Sequence, residues 1–111
     1  MQFMQITDTL SVAGQLDADG MQAAIDAGFR TIICNRPDEE EGAIAHAPLQ
    51  QMAEAAGVAF FYHPVESAVQ TEAQAAHMAK LLAAAEAPIL AYCRSGARSG
   101  RLFEMSLAFG G

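Results

Sequence analysis

Three short apolar runs constrain this chain most: RTIICN at 30–35, VAFFY at 58–62 and ILAY at 89–92. Each is rich in β-branched or aromatic residues and bounded by polar residues, glycine or proline, the mark of a buried strand. Helical signals fill the intervals. Asp17 or Asp19 can cap a helix over Met21–Ala27 that Gly28 ends. Pro48 introduces a second over about Leu49–Ala56, stopped at Gly57. Thr71 and Gln74 have capping-box spacing at the head of a third, Thr71–Glu86. Its apolar residues Ala75, Met78, Ala79, Leu82 and Ala85 share one face, and Pro88 breaks it. Leu102–Phe109 reads as a last helix ending in Gly110-Gly111. Near the start, Phe3–Ile6 and Leu10–Ala13 flank Asp8-Thr9 as a strand pair.

Strands that alternate with helices predict an α/β fold: a single domain, residues 1–111, with a central, largely parallel sheet of four to five strands flanked by helices. One hundred and eleven residues leave no room for a second core. In such sheets the ligand site lies beyond the carboxyl ends of the strands. Cys93 is the first residue after the last strand and falls there.

Charge points to the same place. Thirteen acids against six bases give −7, which disfavours nucleic acid and anionic membrane as partners. Yet three of the six cations, Arg94, Arg98 and Arg101, fall within Cys93–Arg101. An acidic protein that gathers positive charge around one thiol addresses a small anion there. No apolar run approaches the length of a membrane span, and MQFMQITDTL lacks a basic start and a long apolar stretch, so neither span nor signal peptide is expected. Two cysteines are too few for a disulfide scaffold, so the chain reads as cytoplasmic with reduced thiols.

The segment YCRSGARSGR carries the chemistry. A loop entering a helix N-terminus aims several backbone N–H groups at one point, and the helix dipole adds positive charge. Arg94, Ser95, Gly96, Ala97 and Ser99 form this anion-binding loop, with Gly96 free to adopt positive φ. A cysteine in such a nest has a stabilised thiolate, and an arginine from the same loop can fork onto two anion oxygens. The alternative is a structural cysteine followed by a basic helix start.

The stretches LSVAGQLDADGMQAAIDAGFRTIICNRPDEE, FFYHPVES and YCRSGARSG are similar to the β-lactamase-hydrolase-like, phosphatase-like family (DUF442), a branch of the cysteine phosphatase superfamily. The resemblance implies a tyrosine-phosphatase-like fold, with Cys93 as nucleophile and Arg98 as anion binder. It also implies that Cys34, at the end of another strand, is a second cysteine able to trap the oxidised nucleophile; a small core residue is the competing reading. Two departures matter. Tyrosine and dual-specificity phosphatases carry His-Cys, five residues and Arg-Ser or Arg-Thr; here Tyr92 precedes Cys93 and only four residues separate Cys93 from Arg98. A shorter loop has fewer N–H groups for a transferring phosphoryl, and its spacing is similar to that of many rhodanese sulfurtransferases. Where dual-specificity phosphatases have Pro-Val-x-Asp, this chain has Pro64-Val65-Glu66-Ser67, so Ser67 stands in the place of the general acid, with Glu66 beside it but aimed elsewhere.

Asp38, a stand-in acid, and Arg36 and Glu39 border the site or belong to a solvated acidic loop. Arg94 extends the positive rim, and Arg101 recruits anions or pairs with Glu104. His46, His63 and His77 have no zinc-binding spacing, so neither metal nor cofactor is expected. His63 is a turn residue or lies behind the site. The functional expectation is a sulfurtransferase that works through a Cys93 persulfide with thiosulfate or glutathione persulfide as donor. The alternative is a phosphatase with a Cys93 phospho-intermediate, and a third class is a non-catalytic anion-binding module. The substrate is a small anion in each case. Leu102, Phe103, Met105, Leu107 and Phe109 are expected to leave apolar surface for a homodimer or a partner domain.

Overall fold

The computed structural model describes residues 3–110. Its elements run β1 (Met4–Gln5), β2 (Leu10–Ala13), α1 (Ala18–Asp26), β3 (Thr31–Cys34), α2 (His46–Ala55), β4 (Ala59–Tyr62), α3 (Glu72–Ala84), β5 (Ile89–Tyr92) and α4 (Ala97–Ser106), with a closing 3₁₀ turn at Leu107–Phe109. The strands form one five-stranded sheet in the order β1-β2-β5-β3-β4. The β2-β5, β5-β3 and β3-β4 pairs are parallel, and only the short β1 is antiparallel to its neighbour.

The central strands β3 and β5 are buried along their whole length, as their unbroken apolar sequences require, whereas β4 at the edge alternates. Alternation sorts the core into two layers. Ile32, Leu90, Tyr92 and Cys34 pack against α1 and α2 through Met21, Ala24, Leu49 and Ala53. Ile33, Ala91, Leu10 and Val12 face Met78 of α3 and Leu102 of α4.

Local signals explain the helix ends. Asp17 caps α1 by accepting from Gly20 N at 2.7 Å, and Gly28 follows the helix at φ +93°. Thr71 and Gln74 form the expected reciprocal capping box on α3 (2.8 and 3.1 Å). Two boundaries differ from expectation. Helix α2 begins at His46, so Pro48 sits within its first turn, where its missing N–H costs nothing. Helix α4 begins at Ala97 rather than Leu102, because Gly96 at φ +94° turns the chain directly into it; the expected end at Gly111 lies outside the described residues. That early start puts Arg98 and Ser99 in the first helical turn. Of the apolar residues expected at the surface of this segment, Leu102 is instead in the core, while Leu107 and Phe109 are exposed. Among the described residues no helix is long and apolar enough to cross a membrane.

Candidate active site

Strands β2, β3 and β5 end side by side, with Ala13 and Cys34 both in register with Tyr92. Cys93 is the next residue, and its N–H donates to Ala13 O at 3.2 Å. The chain leaving β2 braces the loop from below. Gln15 N donates to Arg94 O (3.2 Å), and a Cβ on Gly14 would come within 3.0 Å of that oxygen. Only a glycine allows this close approach.

The Cys93 thiol is buried, with Gly96 N donating to its Sγ at 3.1 Å. Burial alone would raise its pKa. Hydrogen bonds from the backbone N–H groups of Ser99, Ser95 and Gly96 outweigh that, and the thiol is held below its ordinary value. The shorter loop thus still forms a working nest: it donates N–H groups to sulfur.

Arg98 is 5% exposed and tightly held. Its Nη1 donates to Val65 O (2.7 Å) and Glu40 Oε2 (2.9 Å), and its Nη2 to Glu40 Oε1 (3.1 Å). Its Nε is buried and has no partner among the described residues. The guanidinium has five N–H donors in a fixed fork. Glu40 occupies the end of the fork, which leaves the edge made by Nε and the remaining Nη2 proton. A cavity of about 300 Å³ lies here, lined by Cys93, Arg94, Ser95, Ala97, Arg98, Arg101 and Ser67. The Arg98 guanidinium and the Cys93 thiol therefore share a single pocket.

Behind Cys93 runs a buried polar chain. The Ser99 hydroxyl donates to Asn35 Oδ1 at 2.8 Å, and Asn35 Nδ2 donates to His63 O at 3.1 Å and lies 3.4 Å from His63 Nδ1. His63 stacks on His77 with ring centroids 4.6 Å apart. Burial, helped by the charge of His77, pushes the His63 pKa down to about 4, so the ring is neutral near neutral pH. His63 therefore sits behind the site, not in a bland turn.

The remaining sequence candidates separate clearly. Ser67 lines the Cys93 pocket, whereas Glu66 lines only the neighbouring cavity with Glu39 and Glu40. Asp38 is not brought to the pocket: its carboxylate accepts from His46 N (3.0 Å) and His46 Nδ1 (2.9 Å), at the start of α2. Arg36 is buried rather than solvated, and donates to Glu40 Oε1 (3.0 Å), Gln15 Oε1 (3.0 Å) and Glu41 O (2.7 Å). Arg94 and Arg101 form the exposed rim, and Arg101 bonds Gln70 at 3.1 Å rather than Glu104.

Cys34 packs beside Tyr92 on the face toward α1 and α2, and Cys93 turns to the opposite face. Both thiols are free. Burial pushes the Cys34 thiol up, the reverse of Cys93. Tyr92, in the place of the phosphatase histidine, is wholly buried, and burial raises its phenol.

Sequence reasoning missed Glu40 and Asn35. Glu40 stood inside an acidic run, and its four-residue spacing from Arg36 was the available signal. Asn35 follows an apolar strand whose neighbour carries the nucleophile, and only sheet order shows that neighbour.

A parallel α/β sheet with a nest-held cysteine and an arginine from the following helix defines a cysteine-dependent, phosphatase-like domain. The chain belongs to the family described as the phosphatase-like domain of β-lactamase hydrolase-like protein, whose model matches residues 2–110. It is 32% identical to a β-lactamase hydrolase-like protein of Agrobacterium fabrum, over all of this chain and 26% of that protein. A β-lactamase hydrolase-like protein of Xylella fastidiosa is likewise 32% identical, over 96% of this chain and 25% of its own length. The chain therefore spans about a quarter of the curated relatives it matches. A crystal structure of a phosphatase candidate from Neisseria meningitidis superposes with a TM-score of 0.82 at 35% identity, covering 90% of this chain and 72% of that one. The core catalytic domain of a PP-IP phosphatase from S. cerevisiae shares the fold (TM-score 0.71, 13% identity, 90% and 60% coverage).

Proposed function

We propose that this domain is a sulfurtransferase that carries sulfane sulfur as a Cys93 persulfide. The Cys93 thiolate attacks the outer sulfur of a donor such as thiosulfate. A new S–S bond forms on Cys93 as the donor S–S bond breaks, and sulfite leaves with the electron pair. An acceptor thiolate then takes the terminal sulfur and restores Cys93. Neither step needs a proton from the protein. The observation that carries this reading is the lining of the Cys93 pocket: a lowered-pKa thiol, the Arg98 guanidinium with its unpartnered Nε, and Ser67, with no carboxylate among the lining residues. Phosphoester hydrolysis with an ordinary leaving group needs a proton donor there, and general acids contribute roughly 10²–10⁴-fold.

The second reading is phosphomonoester hydrolysis through a Cys93 phospho-intermediate. It is favoured by the phosphatases among the matched structures and by the arginine fork, which suits a phosphate as well as a sulfonate edge. Thiosulfate-to-thiol transfer and aryl phosphate hydrolysis are measured side by side on one preparation, with mass spectrometry of Cys93. The expected result is sulfur transfer, a gain of one sulfur atom on Cys93 and weak phosphate hydrolysis. Brisk hydrolysis of an unactivated phosphoester, lost in Cys93→Ser, with no persulfide from any donor, overturns the first reading in favour of the second.

A further inference from the structure

The sheet ends on one side at β1, two residues long, and on the other at β4, four residues long. Edge strands offer unpaired backbone groups to other chains, and proteins blunt them by shortness, charge, proline or a bulge. β1 is blunted by its length. β4 carries none of these devices. The segment GVAFFYHP around it, Gly57–Pro64, holds no Asp, Glu, Lys or Arg. Ala59–Tyr62 contains no proline, and its register with β3 runs unbroken. Its aromatic residues Phe60, Phe61 and Tyr62 favour extended backbone.

The ladder shows which groups lie open. Ala59 N donates to Arg30 O (3.1 Å) and His63 N to Cys34 O (2.8 Å), so the odd-numbered residues turn their backbone toward β3. Phe60 and Tyr62 therefore turn N–H and C=O outward, where no strand among the described residues meets them. Phe61 pairs with Ile33 and shares its face of the sheet, the one toward α3. That helix does not cover the edge. Phe61 is 38% exposed and Ala59 is exposed, beside a hollow of about 170 Å³ against Ala84 and Ala85.

We propose that β4 is a self-association edge: two copies pair β4 to β4, antiparallel about a two-fold axis, and join their sheets into one. The outward groups set the register. Phe60 stands opposite the partner's Tyr62 and Tyr62 opposite the partner's Phe60, each exchanging both backbone bonds, and Phe61 meets the partner's Phe61 on the axis. This register satisfies every outward group of both edges with the same residues, which a foreign strand would have to match. Charge also favours a second copy. Chains at −7 repel each other except along a face free of like charge, and the segment around β4 is such a face. His63 at its end is neutral near neutral pH. Strands β4, β3 and β5 run parallel, so the pairing points the two Cys93 pockets in opposite directions and leaves both clear. A strand of four residues falls well short of the roughly 20–30 residues a side of a stable interface, so the dimer is reversible and concentration-dependent. This edge is a different surface from the C-terminal helix whose apolar residues suggested a dimer.

Sedimentation velocity over a concentration series tests the edge. The wild type is expected to shift from monomer to dimer, and Phe61→Glu, which sets two like charges face to face on the axis, to raise the dimer dissociation constant at least ~tenfold. Thermal unfolding checks that Phe61→Glu is folded, and a cross-link decides the matter if it is not. In a Cys93→Ser background, Phe61→Cys places two thiols directly opposite each other with Cβ atoms about 4.5 Å apart, within reach of a disulfide. Air oxidation should link these chains at least ~tenfold faster than chains carrying Val69→Cys, an exposed position away from the edge. A wild type that stays monomeric at every concentration, a dimer unmoved by Phe61→Glu in its folded form, or equal cross-linking at the two positions overturns the proposal. A dimer lost in Leu107→Glu but not in Phe61→Glu overturns it too, and moves the contact to the C-terminal segment.

Discussion

Glu40 grips Arg98 end-on with both carboxylate oxygens, at 2.9 and 3.1 Å, and leaves its buried Nε without a partner among the described residues. The same carboxylate holds Arg36 at 3.0 Å. Burial works against its charge, but the hydrogen bonds from Arg98 and then Arg36 outweigh burial and hold its pKa below the usual carboxylate value. Stability from this pair is therefore fully present above the unfolded carboxyl pKa and is lost as pH falls through the lower folded value. Glu40→Gln keeps the shape and halves the charge-assisted bonding. Arg98 loses its fixed orientation, and activity should fall about tenfold, with a stability loss of about 1–2 kcal/mol, since the carboxylate is partly solvated. Steady-state kinetics and thermal unfolding at neutral pH check both; a Glu40→Gln enzyme of full activity shows that Arg98 needs no such clamp.

Cys93 should ionise below the ~8.5 of a free cysteine, because the backbone hydrogen bonds from Ser95, Gly96 and Ser99 outweigh burial. The pH profile of its alkylation rate reads the midpoint. The Ser99 hydroxyl gives its proton to Asn35 Oδ1, so Ser99→Ala keeps the backbone donors to sulfur and the midpoint should stay below that of a free thiol. A midpoint at or above a free thiol's in the wild type makes Cys93 structural.

The strand pattern, and the loop that carries Cys93 and Arg98 into one pocket, were legible because each is a local signal. β-Branched runs mark buried strands, and Cys93, Gly96 and Arg98 lie within one turn and its helix. Glu40 and Asn35 lie 58 and 64 residues from their partners, Arg98 and Ser99, and a linear reading has no measure of such distances. Sheet order supplies it: β3 lies beside β5, so the loop after Cys34 lies beside the loop after Tyr92. The same register explains why Cys34 looked close to Cys93: it pairs with Tyr92, the residue before it. Alternation moves side chains one residue apart to opposite faces.

Arg98→Lys should lose roughly 10²-fold in activity, the scale on which one pre-set oxyanion donor matters. A lysine has no planar fork, so it cannot hold Glu40 with two bonds and present an open edge at once. Arg94→Lys sits on the exposed rim and should change the rate little beyond its salt dependence. Equal losses in the two variants mean that the anion binds at the rim instead of against the buried fork.

His63 gives the fold a pH dependence of its own. Its folded pKa of about 4 lies below the unfolded value of about 6.5. Between those values the unfolded chain binds the extra proton, so stability is complete above the upper value and declines as pH falls toward the lower. The loss is on the order of 3 kcal/mol at most. Unfolding midpoints measured from pH 7 to pH 4.5 should drop in the wild type, and the slope should be shallower in His63→Gln. Parallel slopes in the two proteins assign the acid sensitivity to the carboxylates.

Ser67 is the residue at which the sulfur and phosphorus readings of the pocket can be tested against each other. It lines the Cys93 pocket, while Glu66 beside it lines a different cavity and Asp38 is committed to His46. A hydroxyl there cannot protonate an alkoxide or phenoxide leaving group at neutral pH. Sulfite needs no proton, so the sulfur reaction proceeds without an acid. Ser67→Asp places a carboxyl on the lining of that pocket at the edge opposite the arginine loop. Hydrolysis of an aryl phosphate with a poor leaving group should then rise, up to the ~10²-fold at the low end for a positioned general acid. Its pH profile should acquire a falling limb as the new carboxyl ionises. Sulfur transfer from thiosulfate should fall in the same variant, because a carboxylate facing the pocket repels both the donor dianion and the Cys93 thiolate. Two assays on one protein thus move in opposite directions. A wild-type enzyme that already hydrolyses unactivated phosphoesters, with no gain from Ser67→Asp, locates a proton donor elsewhere and makes Glu66 or Glu39 the next residue to replace.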